Sequence, residues 1–199
     1  STRRQARPSA GRGVMDALWL VLVVILIALI VLYLSQTAAR LDRLHHRIDT
    51  SRSALQGQFM ERANEVLALA SSGRLDPATT VLLADAADSA LDQARATGAE
   101  FPPSRCAAES SLTRALEASM DGDLVAEIAH QPDGEQTLAV LAAAVQKAAW
   151  SRRFHNDAVR SCLAVRRQRL VRLFRLSGSA PMPRTVELDD EVPSALRSR

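Results

Sequence analysis

The sequence predicts an all-α protein: a single membrane-spanning helix that continues into a long antiparallel bundle of three or four helices. Three observations carry this. Ala17–Leu34, ALWLVLVVILIALIVLYL, holds no charge and no side-chain amide. At 1.5 Å per residue it makes roughly 27 Å of helix, close to the hydrocarbon thickness of a bilayer. Beyond it, apolar residues recur at spacings of three and four, the period of helices buried on one side. Finally, aromatic residues are only 4% of the 199, with Gly and Pro mostly at the ends and in short breaks. That is the profile of an Ala/Leu-rich helical protein rather than of a sandwich or barrel.

Residues 1–13, STRRQARPSAGRG, read as a flexible basic arm without apolar period. Residues 14–35 carry the membrane helix, with Trp19 and Tyr33 near its two ends, where amphipathic rings sit at headgroup level. A secretory signal core and a buried soluble helix compete with this reading. Ser35-Gln36-Thr37-Ala38-Ala39 loosely imitates a cleavage site, but a signal core spans only about 7–15 residues.

The domain comprises residues 36–176, about 140 residues, enough for a core of its own. Nothing breaks its first helix before Ser71-Ser72-Gly73, and Leu41, Leu44, Ile48, Leu55, Phe59, Ala63, Val66 and Ala70 share one face. Asp76-Pro77 starts a second helix, with Asp as cap and Pro in the first turn. Val81, Leu82, Ala86, Ala90 and Leu91 carry it to a stop at Gly98. After Phe101-Pro102-Pro103, Ser104 is the expected cap of a third helix with Ala108, Leu112, Leu116, Met120, Leu124 and Ile128 as its apolar line, broken or kinked at Asp121-Gly122-Asp123. A fourth helix, about 134–176, follows Gln131-Pro132-Asp133-Gly134, with Asp133 as candidate cap. Residues 177–199, with three prolines and no period, read as an extended Pro/Ser/acidic tail.

An up-down-up-down order returns the end of the fourth helix to the membrane. Arg166, Arg167, Arg169, Arg172 and Arg175 then face anionic headgroups, with Leu170, Leu173 and Phe174 able to dip into the interface. A solvated basic helix end that complements its own dipole explains the same residues equally well. Four arginines precede the span and Arg40, Arg43, Arg47 and Arg52 follow it. Adding the returning helix tips the count toward a cytoplasmic domain.

RLDRLHHRIDTSRSALQGQFMERANEV at 40–66 resembles the start of the LemA family of bacterial membrane proteins, which places one membrane helix before a long helical bundle. Arg40, Leu41, Leu44, Arg47, Ile48, Asp49, Leu55, Phe59 and Arg62 fall on the family's pattern. Arg152-Arg153-Phe154-His155-Asn156-Asp157-Ala158-Val159-Arg160 is similar to the family's R-R-F-Y-N-D-A-V-R, with His155 in place of tyrosine. The family's tryptophan is absent, with Arg52 or Ser53 at its place, and its later Y-N is Cys162-Leu163. The resemblance implies the anchored antiparallel bundle and a bacterial plasma membrane. It implies no activity.

No phosphate loop, dinucleotide fingerprint, H-E-x-x-H or paired C-x-x-C occurs. His45 and His46 are adjacent, so on a helix they diverge by about 100°. Cys106 and Cys162 fit no metal spacing and read as small buried hydrophobes. Asp121 and Asp123 lack the rest of a calcium loop, and no basic face interleaves with aromatics for nucleic acid. The expectation is therefore a non-enzymatic accessory or scaffold protein, without catalytic, cofactor or metal site and without an evident small-molecule substrate. Its expected partners are membrane lipid and the proteins of a larger membrane complex, such as a respiratory-chain complex. His155 and Asn156, near the bundle seam, and the acidic cluster Asp189, Asp190 and Glu191 are the candidate protein contacts. The competing reading is a membrane-tethered sensor or enzyme with a site around His155 and Asn156.

Overall fold

The computed structural model describes residues 10–174 and 181–197. Arg175, most of the basic arm, the start of the C-terminal tail and its last two residues lie outside the described residues. The chain is all-helical: α1 is Ala10–Ser71, α2 Pro77–Thr97, α3 Pro103–Ser119, α4 Gly122–Ala129, α5 Gly134–Arg166 and α6 Arg169–Leu173, followed by a 3-10 turn at Ser194–Leu196. Helix already begins at Ala10, inside the stretch read as a flexible arm. The chain divides into two compact units, residues 1–43 with 165–180 and residues 44–164 with 181–199.

In the first unit, α1 is long and apolar enough to cross a membrane: its best 18-residue window has a mean hydropathy of 3.2 and no part of it is buried. Leu41, Val165 and Val171 are buried. The fourth predicted helix does not run unbroken to residue 176. It stops at Arg166, turns through Gln168, whose N–H donates to Val165 O, and restarts at Arg169. Arg166 and Arg169, and Arg169 and Arg172, stand three apart, and like charges at neighbouring positions on a helix face oppose a continuous helix.

In the second unit, α1 and α5 run antiparallel. Ile48 packs with Val159 and Cys162, Leu55 and Phe59 pack with Ala148, and Ala63–Ala70 pack with Leu138–Val145. The α2–α3 hairpin and α4 close over the far end of this pair, with Leu83, Ala87, Leu112, Leu116 and Ile128 in the main core. Asp76 caps α2 by accepting from the Ala78 and Thr79 N–H groups, and Gly98 stops it at φ +57°. The inward face of α2 is Leu83, Ala87, Ala90, Leu91 and Ala94, while Val81 and Leu82 are exposed. Val81-Leu82-Leu83 is an apolar run, and a helix can turn only one of the three inward.

Helix α3 begins at Pro103 rather than after Ser104; Pro at the first position needs no N–H partner and supplies the helical φ. The predicted break at Asp121-Gly122-Asp123 is present, with Asp121 capping α4 through Leu124 N–H. Asp133 takes a left-handed φ of +58° and offers its backbone carbonyl to Thr137. Gly134 follows because a Cβ there would meet the Ile128 carbonyl oxygen at 1.7 Å.

The largest departure from the sequence expectation is the C-terminal segment. Its described part, 181–197, is extended as expected but not a loose tail: Val186 packs beside Leu55, Phe59 and Ala148, and Leu196 is buried in the main core.

Candidate functional site

The five residues expected to meet other proteins are engaged within the chain. Asn156 is buried and faces Val186 as a neighbouring strand would: its Nδ2 donates to Val186 O at 3.0 Å and its Oδ1 accepts from Val186 N at 2.8 Å. Four residues earlier, one helical turn away, Arg152 grips Asp190 with two parallel bonds, Nε–Oδ2 at 2.7 Å and Nη2–Oδ1 at 2.8 Å. Asp189 contributes its backbone, its N–H donating to Ser110 Oγ and its carbonyl accepting from Thr113 Oγ1. Glu191 pairs with Arg197 at 2.6 Å. The acidic cluster is thus bound to its own bundle by side chains of α3 and α5.

His155 is buried, its Nδ1 2.9 Å from Ser51 Oγ, and its ring also hydrogen-bonds the Arg184 backbone. Burial, reinforced by the charge of Arg52, holds its pKa below the ordinary value. A folded-state pKa below the unfolded one means that the unfolded chain binds the proton more readily. This contribution to stability is therefore complete above about pH 6.5 and is lost as pH falls from there through the folded pKa. Between pH 7.5 and 5.5, the thermal midpoint of the wild type is expected to fall further than that of His155→Gln, which keeps a donor without the titration. Equal falls in the two proteins would remove His155 as the cause.

Behind the docked segment lies a network the sequence reading missed. Arg62 on α1 is almost fully buried; its Nη2 donates to Glu109 Oε2 at 2.7 Å and to the Glu109 carbonyl at 3.1 Å, and its Nη1 to Thr113 Oγ1 at 3.0 Å. Arg105, also buried, stands 3.8 Å from the second Glu109 oxygen and donates to the carbonyls of Gly98 and Glu100. Each guanidinium lies over a ring, Arg62 over Phe59 at 4.8 Å and Arg105 over Phe101 at 4.0 Å, and the two rings stand 5.9 Å apart. Burial pushes the Glu109 carboxyl up and both guanidiniums down, each against the pull of its partners. Two cations and one anion leave an excess positive charge, toward which Asp189 and Asp190 bring their carboxylates. A signal was available: Leu55, Phe59, Arg62 and Val66 keep the three-and-four spacing, so Arg62 lies on the buried stripe.

One exposed feature of the second unit is an aromatic pair. Trp150 and Phe154 stand one turn apart on α5 and are 52% and 64% exposed. They border an apolar cleft of about 290 Å3 with Ser51, Ala54, Gln58 and Lys147. Of the membrane-interface candidates, Trp19, Tyr33, Arg167, Arg169 and Arg172 are exposed and Arg166 is half-buried. Among the described residues, no group of three His, Cys, Asp or Glu is placed to hold a metal ion, and Cys106 and Cys162 are not joined in a disulfide.

Fold and site together define a helical bundle, closed by its own C-terminal segment, on a helix long and apolar enough to cross a membrane. Comparison of the chain with protein-family models, with curated proteins and with solved structures finds no match.

Proposed function

We propose that the protein is a non-enzymatic, membrane-anchored accessory or scaffold protein, a divergent relative of the LemA family, that binds other proteins of a larger membrane complex. The apolar part of α1 is its single span, the membrane is the bacterial plasma membrane, and the bundle faces the cytoplasm. A respiratory-chain complex is the first assembly to test. The observation that carries this reading is the Trp150–Phe154 pair. Large exposed aromatics beside an apolar cleft are the kind of anchor that dominates protein interfaces, and the chain has only seven aromatic residues to place. In the first unit, Val165 and Gln168 line a cleft with Tyr33, Arg40 and Arg43. That proximity supports counting the α6 arginines with the C-terminal flank of the span, and so a cytoplasmic bundle.

The test is purification of the full-length protein in mild detergent with mass spectrometry of whatever co-elutes. A stoichiometric membrane complex is expected. Trp150→Ala/Phe154→Ala is expected to reduce the co-eluting partner by roughly tenfold or more, the loss of one or two interface anchors, while leaving the melting profile unchanged. Full retention of the partner by that variant would move the contact elsewhere.

The enzyme or sensor reading draws on one observation, the Ser51–His155 hydrogen bond at the edge of the apolar cleft. A hydroxyl and a base need donors for a developing oxyanion. Ser51 lies inside α1, where N–H groups are committed to the helix, and the nearby Asn156 amide is occupied by Val186. The adaptor reading therefore has the better chemical support.

A further inference from the structure

The first unit holds a cleft of about 430 Å3 whose lining includes Tyr33, Gln36, Thr37, Arg40, Arg43 and Gln168, within the size range of small-ligand pockets. Tyr33, Gln36, Thr37, Arg40 and Arg43 recur at helical spacing on one side of α1, and Gln168 comes from the turn between α5 and α6. Leu34 ends the apolar run, so Arg40 begins about 9 Å beyond it. A bilayer's headgroup layer is only several Å deep, and an arginine side chain reaches back along the helix to it. The charge here is one-sided: residues 33–43 and 165–174 contain six arginines and Asp42 as the single acid. Leu173 and Phe174 beside them are exposed apolar side chains.

We propose that this cleft binds the phosphate of an anionic phospholipid. Arg40 and Arg43 supply the charge and the planar fork that grips phosphate oxygens. The Gln36 and Gln168 amides and the Tyr33 hydroxyl are the polar groups left for the glycerol and headgroup. The α6 arginines add a diffuse attraction that concentrates anionic lipid at the same leaflet, and Leu173 and Phe174 enter the interface. The inference rests on α1 spanning the membrane, and the experiment separates the two.

Full-length protein is reconstituted in nanodiscs of equimolar phosphatidylcholine and phosphatidylglycerol, and the lipid retained on release into detergent is measured by native mass spectrometry. Phosphatidylglycerol retention is expected, with a loss on the order of 100-fold in Arg40→Gln/Arg43→Gln, about tenfold for each charge-assisted grip on phosphate. Arg167→Gln/Arg169→Gln, which removes two charges outside the cleft, is expected to keep most of the bound lipid. Equal losses in the two variants, or equal retention of both lipids by the wild type, overturn the site. Displacement of the lipid by inorganic phosphate at matched concentration also overturns it, because the site then belongs to a soluble anion. Alkaline extraction of the wild type from membranes reports on the span alone. A variant that resists extraction yet releases phosphatidylglycerol has lost the cleft and kept the anchor.

Discussion

Glu109→Ala is expected to destabilise the bundle by about 3–5 kcal/mol, the cost of removing one partner from a buried ion network. The side chains of Arg62 and Glu109 are 2% and 1% exposed and that of Arg105 is fully buried. Without the carboxylate, Arg62 keeps bonds to Thr113 and to the backbone carbonyl of residue 109, and Arg105 keeps its carbonyls at the α2–α3 turn. Neither guanidinium keeps a counter-ion inside the core, and arginine does not shed its charge to escape the cost. A fall in the thermal midpoint of roughly 10 °C follows for a chain of this size, read by circular dichroism of the full-length protein in one detergent. The triple variant Arg62→Met/Arg105→Met/Glu109→Leu is expected to recover most of the loss, because an apolar core replaces the network without stranding a charge. A shift under about 1 kcal/mol in Glu109→Ala would mean that water reaches the network and that it is not the lock between α1 and α3.

The sequence made α1 and α5 legible because each needs one long apolar stripe, and a stripe is a pattern in a single residue type. The same logic hid Arg62, Arg105 and Glu109. They sit on the stripe, but charged residues are read as surface unless a partner is known, and the partner of Arg62 lies 47 positions away on another helix. The phase of α2 was ambiguous because three consecutive apolar residues fit any rotation of the helix. The C-terminal segment was illegible for a different reason. An extended chain recognised through its backbone, as Asn156 recognises Val186, leaves almost no side-chain signature. Three prolines and no period describe a docked strap and a loose tail equally well. What the sequence did expose was part of the receiving end, since His155 and Asn156 stood out as polar residues beside the seam. Their partners are Arg184 and Val186 of the docked segment, while Arg152, one turn from Asn156, holds Asp190.

Asn156→Ala is the sharper test of that docking. The substitution strands the N–H of Val186 where Leu55, Phe59 and Ala148 exclude water, and it leaves the Val186 carbonyl with only the longer bond from Arg152 Nη1 at 3.4 Å. An unsatisfied buried group costs about 1–3 kcal/mol, so docking is weakened by roughly that amount. Arg152 still holds Asp190 at a pair that is 16% and 10% exposed, and Leu196 stays buried in the main core. Residues 184–188 are therefore expected to open locally while the bundle stays folded. Trypsin reads this directly: Arg184 lies two residues before Val186 and is exposed, yet cleavage needs several neighbouring residues free of the groove. Faster cutting after Arg184, with little change in helical content, is the expected result. Asp190→Asn keeps one of the two acceptors for Arg152 and loses the charge and the second acceptor, and it is expected to loosen the segment less than Asn156→Ala does. Should Asn156→Ala instead melt the whole bundle, the strap is part of the core rather than a cover laid over it. The carboxylates of Asp189 and Asp190, which favour the buried charge of Arg62, would then link the strap to the core.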